Sequence, residues 1–214
     1  GDVYKRQENT KRIAKNTLLL YVRMLFGMLV SLYTSRVVLQ ALGVEDYGIY
    51  NVVGGFVAMF TMISSSLSAS TGRFLTYELG KGDMEKLQKV FSTSLIIHIG
   101  LAILIVILAE SLGVWFLNTH MTIPADRLYA ANWVFHASVI SFIFSLLSVP
   151  FNAAIISHEH MNVYAYVGIL DILLKLLIVL FIAYVPGLRD RLICYSSLLV
   201  AVNIALQLFY MWYC

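Results

Sequence analysis

Long apolar stretches alternate along the chain with short polar connections. Each of six stretches has the roughly 20 residues that an α-helix needs to cross the hydrocarbon core of a bilayer. None shows the strict alternation of a membrane β-strand. We therefore predict an all-α, polytopic bundle of six transmembrane helices. The predicted spans are 17–41, 48–72, 91–117, 129–156, 163–185 and 192–214.

The composition agrees with a membrane protein and excludes several other classes. Of the 214 residues, 60% are hydrophobic and only 13% are charged, whereas about 25% of residues are charged in soluble domains. The net charge of +3 is small and does not indicate a surface for nucleic acid. Cys194 and Cys214 both lie in apolar sequence and do not make a disulfide framework. An ordinary cytosolic enzyme, a disordered chain and a nucleic-acid-binding domain are therefore excluded.

Basic residues at the ends of the spans predict the orientation. Seven flank the spans on the N-terminal side and three flank the opposite side, and an excess of basic residues marks the cytoplasmic side. We therefore expect segment 8–16 to be cytoplasmic. The seven are Lys11, Arg12, Lys15, Arg73, Lys81, Lys86 and Lys89, and the three are Arg127, Arg189 and Arg191.

The largest connection on the expected cytoplasmic side is 73–90. It is either a short helix that lies on anionic lipid or a solvated linker that leads into the third span. Asp83 is a candidate N-cap for a helix that begins at Met84.

Both ends of the sequence have unusual features. Residues 1–7, GDVYKRQ, are what the end of a common transposase-based sequencing adapter encodes with one choice of codons. We expect these residues to be adapter read-through and exclude them from the fold. Cys214 closes an apolar run that has no polar flank, so we expect a gene fragment that is cut at both ends.

Polar side chains inside the spans follow helical periodicity, since residues three, four or seven apart share one face of a helix. Five spans carry such a stripe, and the sixth, 91–117, is mostly aliphatic and is expected to face lipid. Tight helix packing explains one stripe, but five together indicate a bundle around a hydrated cavity that suits an uncharged polar group such as a sugar. The candidate cavity-wall residues are Ser31, Thr34, Ser64, Ser68, Ser141, Ser145, Asn152 and Asn203.

Two arginines lie inside the first span, where charge is rare and marks functional candidates. Arg23 shares a face with the polar stripe of its span, so we expect it to contact the ligand. Arg36 lies about 220° further around the helix, near its outer end. It is either a second ligand-binding residue, or it extends to the interface or pairs with Glu45 or Asp46.

Other ionisable residues at membrane depth leave two interpretations each. Asp171 and Lys175 are four residues apart in the fifth span and form either a mutually neutralising ion pair or a site for a coupling ion or substrate. Glu110 and His136 fall at similar depths and either form a proton-sensitive pair or both reach interfacial water. His98 is expected to be a helix histidine with its hydrogen bonds satisfied.

No group of residues indicates an enzyme. His158-Glu159-His160 lacks the spacing of a helical zinc motif, and the chain has no phosphate-binding loop or nucleotide fingerprint. We therefore expect no catalytic residue, no metal, no cofactor and no nucleic-acid partner.

Two segments resemble a known family. The run ALGVEDYGIYN at 41–51, and GRFL at 72–75 followed by ELGKGD at 78–83, resemble bacterial polysaccharide flippases of the Wzx type. These flippases belong to the multidrug/oligosaccharidyl-lipid/polysaccharide exporter superfamily. The resemblance covers about 8–214 and is sharpest over 16–90. The resemblance is fairly specific for the superfamily, but it says little about which substrate is transported.

The resemblance implies a fold and a function. Such proteins have 12 to 14 helices in two lobes, so 17–214 would be the N-terminal lobe, and its partner would be the missing C-terminal lobe of the same polypeptide. They move undecaprenyl-pyrophosphate-linked oligosaccharide from the inner to the outer leaflet of the bacterial inner membrane by alternating access, for polysaccharide biosynthesis. By this analogy Arg23 would meet the pyrophosphate, with Arg36 as a second candidate, and the serine stripes would face the glycan.

Three other functions stay open on the sequence. A drug–cation antiporter of the same superfamily needs an acidic residue in its cavity, and Asp171 is the deep candidate. A peptidoglycan-precursor flippase binds nearly the same ligand chemistry. A scaffold or enzyme subunit without transport would pack its polar stripes in a dry interface.

Overall fold

The computed structural model describes residues 2–158, 161–185 and 187–214, with side chains from residue 17 onward. These residues form an all-α bundle without strands, which confirms the predicted fold class. A π-helical turn, Ala109–Gly113, joins the third helix to the fourth. The helices are α1 (Asp2–Ala58), α2 (Thr61–Lys81), α3 (Met84–Leu108), α4 (Val114–Thr119), α5 (Leu128–Leu147), α6 (Val149–Ser157), α7 (Met161–Tyr184) and α8 (Arg191–Tyr213).

Five helical stretches in the described residues are long and apolar enough to cross a membrane, where the sequence predicts six. The difference lies in the first two predicted spans, 17–41 and 48–72, because α1 continues through the loop expected between them. The prediction of a multi-pass membrane bundle is otherwise confirmed. The five stretches are Thr17–Ala58, Met84–Thr119, Leu128–Ser157, Met161–Tyr184 and Arg191–Tyr213.

A single residue, Gly43, replaces the expected loop. Its backbone has φ 84° and ψ 169°, a conformation that side chains with a Cβ rarely adopt. Before Gly43, Val38 packs with Ile178 of α7; after it, Val53 packs with Val134 of α5. The part of α1 after Gly43 therefore runs back along the bundle as the first half of the predicted second span.

The prediction of a long connection at 73–90 is wrong, because α2 continues to Lys81 and α3 begins at Met84. Gly82 ends α2 with φ 74°, and its N–H donates to the carbonyl of Leu79 at 3.1 Å. Asp83 is the N-cap of α3, as predicted, and accepts from the N–H of Lys86 at 3.1 Å. The side-chain hydrogen bond from Lys86 holds the pKa of Asp83 below its usual value. Polar residues here mark a helical hairpin, since none of them prevents helix formation.

One ion cluster joins three connections at the opposite end of the bundle. Arg127 donates from Nε to Asp46 at 2.7 Å and from Nη1 to Asp190 at 3.1 Å. The hydrogen bond to Asp46 is the main cause of the raised pKa of Arg127. We call these three residues the Arg127 cluster. Asp46 binds Arg127, so the structure does not bear out the pairing with Asp46 that was one of the alternatives for Arg36.

This cluster fixes the topology of the bundle. Asp46, Arg127 and Asp190 follow the first, third and fifth predicted spans, so those connections share one end. Nearby, Arg191 donates from Nη1 to the carbonyl of Ala41 at 2.9 Å. Gly82 lies at the other end, which we call the hairpin end.

We predict that replacing Arg127 with methionine destabilises the bundle. The change leaves the part-buried Asp46 and Asp190 without a cation, which lowers the free energy of unfolding by about 1–3 kcal/mol. Each kcal/mol lowers the melting midpoint by roughly 2–4 °C in a chain of this size. Arg189→Met is the control, since Arg189 is exposed. Equal melting midpoints for the two variants in detergent would contradict a stabilising role of the cluster.

Candidate functional site

The first candidate site lies where α1 crosses α7 near the hairpin end. The guanidinium carbon of Arg23 lies 4.5 Å from the centroid of the Tyr164 ring, a cation–π contact. A Cβ built on Gly168 would overlap Nε and Cζ of Arg23. The guanidinium therefore lies close against the backbone of α7 at Gly168, and a side chain at 168 would require it to shift.

The same crossing brings the two helices close together. A Cβ on Gly27, one turn from Arg23, would lie 3.2 Å from Cδ1 of Ile172. Tyr210 of α8 is buried, and its ring centroid lies 6.4 Å from that of Tyr164. We call Arg23, Tyr164, Gly168 and Tyr210 the Arg23 site.

Charge at this site is not balanced. Asp171, one turn beyond Gly168, accepts from Nζ of Lys175 at 2.8 Å, so the ion pair that the spacing allows is formed. Among the residues with described side chains, no carboxylate pairs with the half-buried Arg23. Because Lys175 already compensates Asp171, the Arg23 site has a net positive charge and favours an anion.

A second feature is a groove of about 280 Å³ between the later part of α1, α5 and α8. It brings together three of the predicted wall residues, Ser141, Ser145 and Asn203. Asn203 donates from Nδ2 to the carbonyl of Ser141 at 3.1 Å and also to its Oγ. Hydroxyls of further residues complete the polar wall: Tyr50, Thr61, Ser138 and Ser196.

The comparison with protein families agrees with this architecture. A family model described as MatE matches residues 9–181. The chain belongs to the MatE family. It is therefore a membrane transporter of the multidrug/oligosaccharidyl-lipid/polysaccharide exporter superfamily, as the resemblance implies at that level. A search of curated proteins and a search of solved structures each found no significant match.

The other predicted wall residues of this MatE protein lie outside the groove. Ser31 is exposed on α1, and its carbonyl accepts from Thr34 Oγ1 at 3.0 Å. Ser68 lines a different groove, between α2 and α6. Ser64 is half-buried and lines neither groove. Asn152 donates to Oγ of Ser148 at 3.3 Å. Hydroxyls that bond to their own helix need no shared cavity.

Arg36 belongs to a separate region of the MatE bundle. It lines a groove with Arg191 near the Arg127 cluster, and 13 residues, or about 20 Å of helix, separate it from Arg23. The two arginines therefore do not share a site.

Gln207 and Tyr210 link the two features; they belong to the predicted polar stripe of the span 192–214 but were not among the candidate site residues. Gln207 donates from Nε2 to Oδ1 of Asn203 at 3.1 Å, and Tyr210 follows one turn later on α8. Oε1 of Gln207 is buried without a partner among the described residues. The periodicity of Ser196, Asn203, Gln207 and Tyr210 was the available signal. It marks a polar seam from the groove to the Arg23 site.

The remaining ionisable candidates lie away from the seam. Nδ1 of His136 lies 3.0 Å from Oε1 of Glu110, so these two side chains form a pair, and both are about half exposed. His98 bonds through Nδ1 to the carbonyl of Ser94 at 2.7 Å. Its Nε2 is buried without a partner in the described part of the chain, so the prediction of a fully satisfied histidine is wrong.

No metal site is seen in the residues that the structure describes, where no three His, Cys, Asp or Glu side chains come together. The His158-Glu159-His160 segment is only partly covered, because Glu159 and His160 lie outside the described residues.

We predict that a cysteine at Ser145 reacts with a water-soluble maleimide, because Ser145 lines an open groove. The matched control is a cysteine at Ser94, which is 7% exposed and bonded to Thr71. Both go into a variant in which Cys194 and Cys214 are replaced by alanine. We expect labelling at 145 to be at least about tenfold faster, since reaction at a buried site requires local opening of the structure. Equal protection of both positions would indicate a dry helix interface in place of a hydrated groove.

Proposed function

We propose that this MatE protein is a flippase for an undecaprenyl-pyrophosphate-linked oligosaccharide. It would move the lipid-linked glycan from the inner to the outer leaflet of a bacterial inner membrane by alternating access, with its N-terminus in the cytoplasm. The single observation that supports this most strongly is the unpaired guanidinium of Arg23, held on Gly168 inside a helix crossing.

The chemistry of Arg23 favours a phosphate ligand. A guanidinium presents several N–H donors in one plane and forms strong, charge-assisted hydrogen bonds with phosphate oxygens. Arg23 lies 20 residues before Gly43, about 30 Å along the helix, and therefore near the hairpin end, where the headgroup of a lipid in one leaflet would lie. The cation–π contact with Tyr164 orients the guanidinium without neutralising it.

The groove of α1, α5 and α8 suits the glycan. Its wall combines hydroxyl groups with the amide of Asn203, which bond to sugar hydroxyls as both donors and acceptors. The polar seam through Gln207 continues toward the Arg23 site. At about 280 Å³ the groove is small for an oligosaccharide, so we propose that the C-terminal lobe of the same polypeptide supplies the opposite wall and that membrane lipid covers the outer faces.

A drug–cation antiporter is the alternative within the same family. One observation favours it, the position of Asp171 on the helix face that also meets Arg23. However, the ion pair with Lys175 leaves Asp171 without free charge for a cation. A peptidoglycan-precursor flippase would use the Arg23 site in the same way, and depletion of the intact gene that causes lysis would identify it.

We predict that Arg23→Ala in the intact gene lowers polymer export at least about tenfold, as expected when 1.5–3 kcal/mol of charged hydrogen bonds are lost. Gly168→Ala should lower export less than Arg23→Ala, because the methyl group shifts the flexible guanidinium but leaves its charge in place.

The control for this pair is Gly100→Ala, since a Cβ at Gly100 meets nothing within 4 Å. Protein levels in the membrane are measured alongside export. Normal export in Arg23→Ala at normal protein level would rule out the proposed role of Arg23.

A second prediction separates the flippase from the antiporter. Exchanging Asp171 and Lys175, as Asp171→Lys with Lys175→Asp, keeps opposite charges four residues apart, so we expect an ion pair in reversed order. If Asp171 and Lys175 only neutralise each other, Asp171→Asn alone lowers export because Lys175 loses its partner. The double exchange then retains most of the wild-type export. If Asp171 binds a coupling cation, the exchange abolishes transport, and Asp171→Asn abolishes drug efflux in a resistance assay.

A further inference from the structure

A row of basic and aromatic side chains lies on one face of α2. Arg73, Tyr77 and Lys81 are spaced four residues apart and therefore share a face of the helix. Nζ of Lys81 lies 4.2 Å from the centroid of the Tyr77 ring, so the lysine folds back along this face. Arg73 and Tyr77 are both exposed. We call these three residues the Arg73 face.

Arg73 differs from the other basic residues of the α2–α3 hairpin. Lys86 pairs with Asp83 at 2.8 Å, and Lys89 pairs with Glu85 at 2.6 Å. Lys81 is engaged with Tyr77. Arg73 has no hydrogen-bond or ion-pair partner among the residues that the structure describes. Its charge is therefore available for a ligand.

A groove of about 600 Å³ lies beside this arginine, between α2 and α6. Ser68, Thr76 and Tyr77 supply hydroxyl groups to its wall, and Ile156 supplies apolar surface. The carboxylate of Glu78, whose charge also acts on Lys81, opposes anion binding at this face.

The surroundings of the groove indicate what kind of anion fits. Phe74, next to Arg73, is 61% exposed, and Ile156 is 38% exposed. Exposed apolar side chains beside a free guanidinium, close to the end of a membrane-spanning bundle, match a molecule with a phosphate group and acyl chains. The groove includes no residue of α1 or α7, so it is separate from the Arg23 site.

We propose that the Arg73 face binds the phosphate headgroup of an anionic phospholipid of the surrounding bilayer. Arg73 and Lys81 provide charge for the phosphate oxygens, and the hydroxyls of Thr76 and Tyr77 provide further hydrogen bonds. Phe74 and Ile156 contact the first part of the acyl chains. This proposal does not depend on the proposed flippase function, because it uses none of the residues of the Arg23 site.

The test is native mass spectrometry of the purified chain, titrated with phosphatidylglycerol and, separately, with phosphatidylcholine. The wild-type chain should retain phosphatidylglycerol preferentially. Arg73→Gln should lower the bound fraction at least about fivefold, as loss of a charge-assisted contact implies, and Arg73→Lys should restore part of it. Lys89→Gln is the matched control, because Lys89 lies on the same hairpin but is already paired with Glu85.

Three results would overturn the proposal. The first is equal phosphatidylglycerol binding by Arg73→Gln and Lys89→Gln. The second is a loss of phosphatidylcholine as large as that of phosphatidylglycerol. The third comes from a parallel titration with undecaprenyl pyrophosphate: a loss confined to that lipid would make the groove part of the substrate pathway. If Arg73→Gln does not fold, Lys81→Gln replaces it, since Lys81 is fully exposed at the end of α2.

Discussion

The contact of Arg23 with the backbone of α7 is the constraint on which the proposed site depends. A guanidinium at membrane depth is tolerated only where protein or water surrounds it. Gly168 provides the space for this position of the guanidinium, since a Cβ there would require Nε and Cζ of Arg23 to shift. Tyr164 provides an aromatic face, and Gly27 allows α1 to approach α7 one turn away. The arginine thus stays charged and oriented while its N–H groups remain available to a ligand.

The fold class and four of the spans could be predicted from the sequence, because length and apolar character determine which helices cross a bilayer. The region from Gly43 to Lys81 could not. A single glycine with positive φ suffices to turn the chain, and the predicted span 48–72 is divided between the end of α1 and the start of α2. On the sequence alone the polar residues after 72 indicate a loop, although α2 continues to Lys81. Polarity shows whether a segment faces solvent or lipid, but it does not show whether the segment is a loop or a helix.

The candidate site was only partly predictable. Helical periodicity placed Arg23, Ser141, Ser145 and Asn203 on polar faces, and the structure brings the last three into one groove. It could not show that Ser31 and Thr34 bond locally on an exposed face, because periodicity identifies a face and says nothing of its neighbour. For the same reason the partners of Asp46 and of Arg23 required tertiary structure. Tyr164 and Gly168 share the face of Asp171 and Lys175, yet only the helix crossing gives them a role.

The most direct test of the central claim is photo-crosslinking of the wild-type protein in nanodiscs, with an undecaprenyl pyrophosphate analogue that carries a diazirine next to the phosphates. The account predicts that labelled peptides map to the first half of α1 and to α7 around Tyr164 and Gly168. Excess undecaprenyl pyrophosphate should suppress this labelling, whereas undecaprenol should not. Labelling that avoids both helices, or that undecaprenol suppresses equally, would contradict recognition of the pyrophosphate at the Arg23 site.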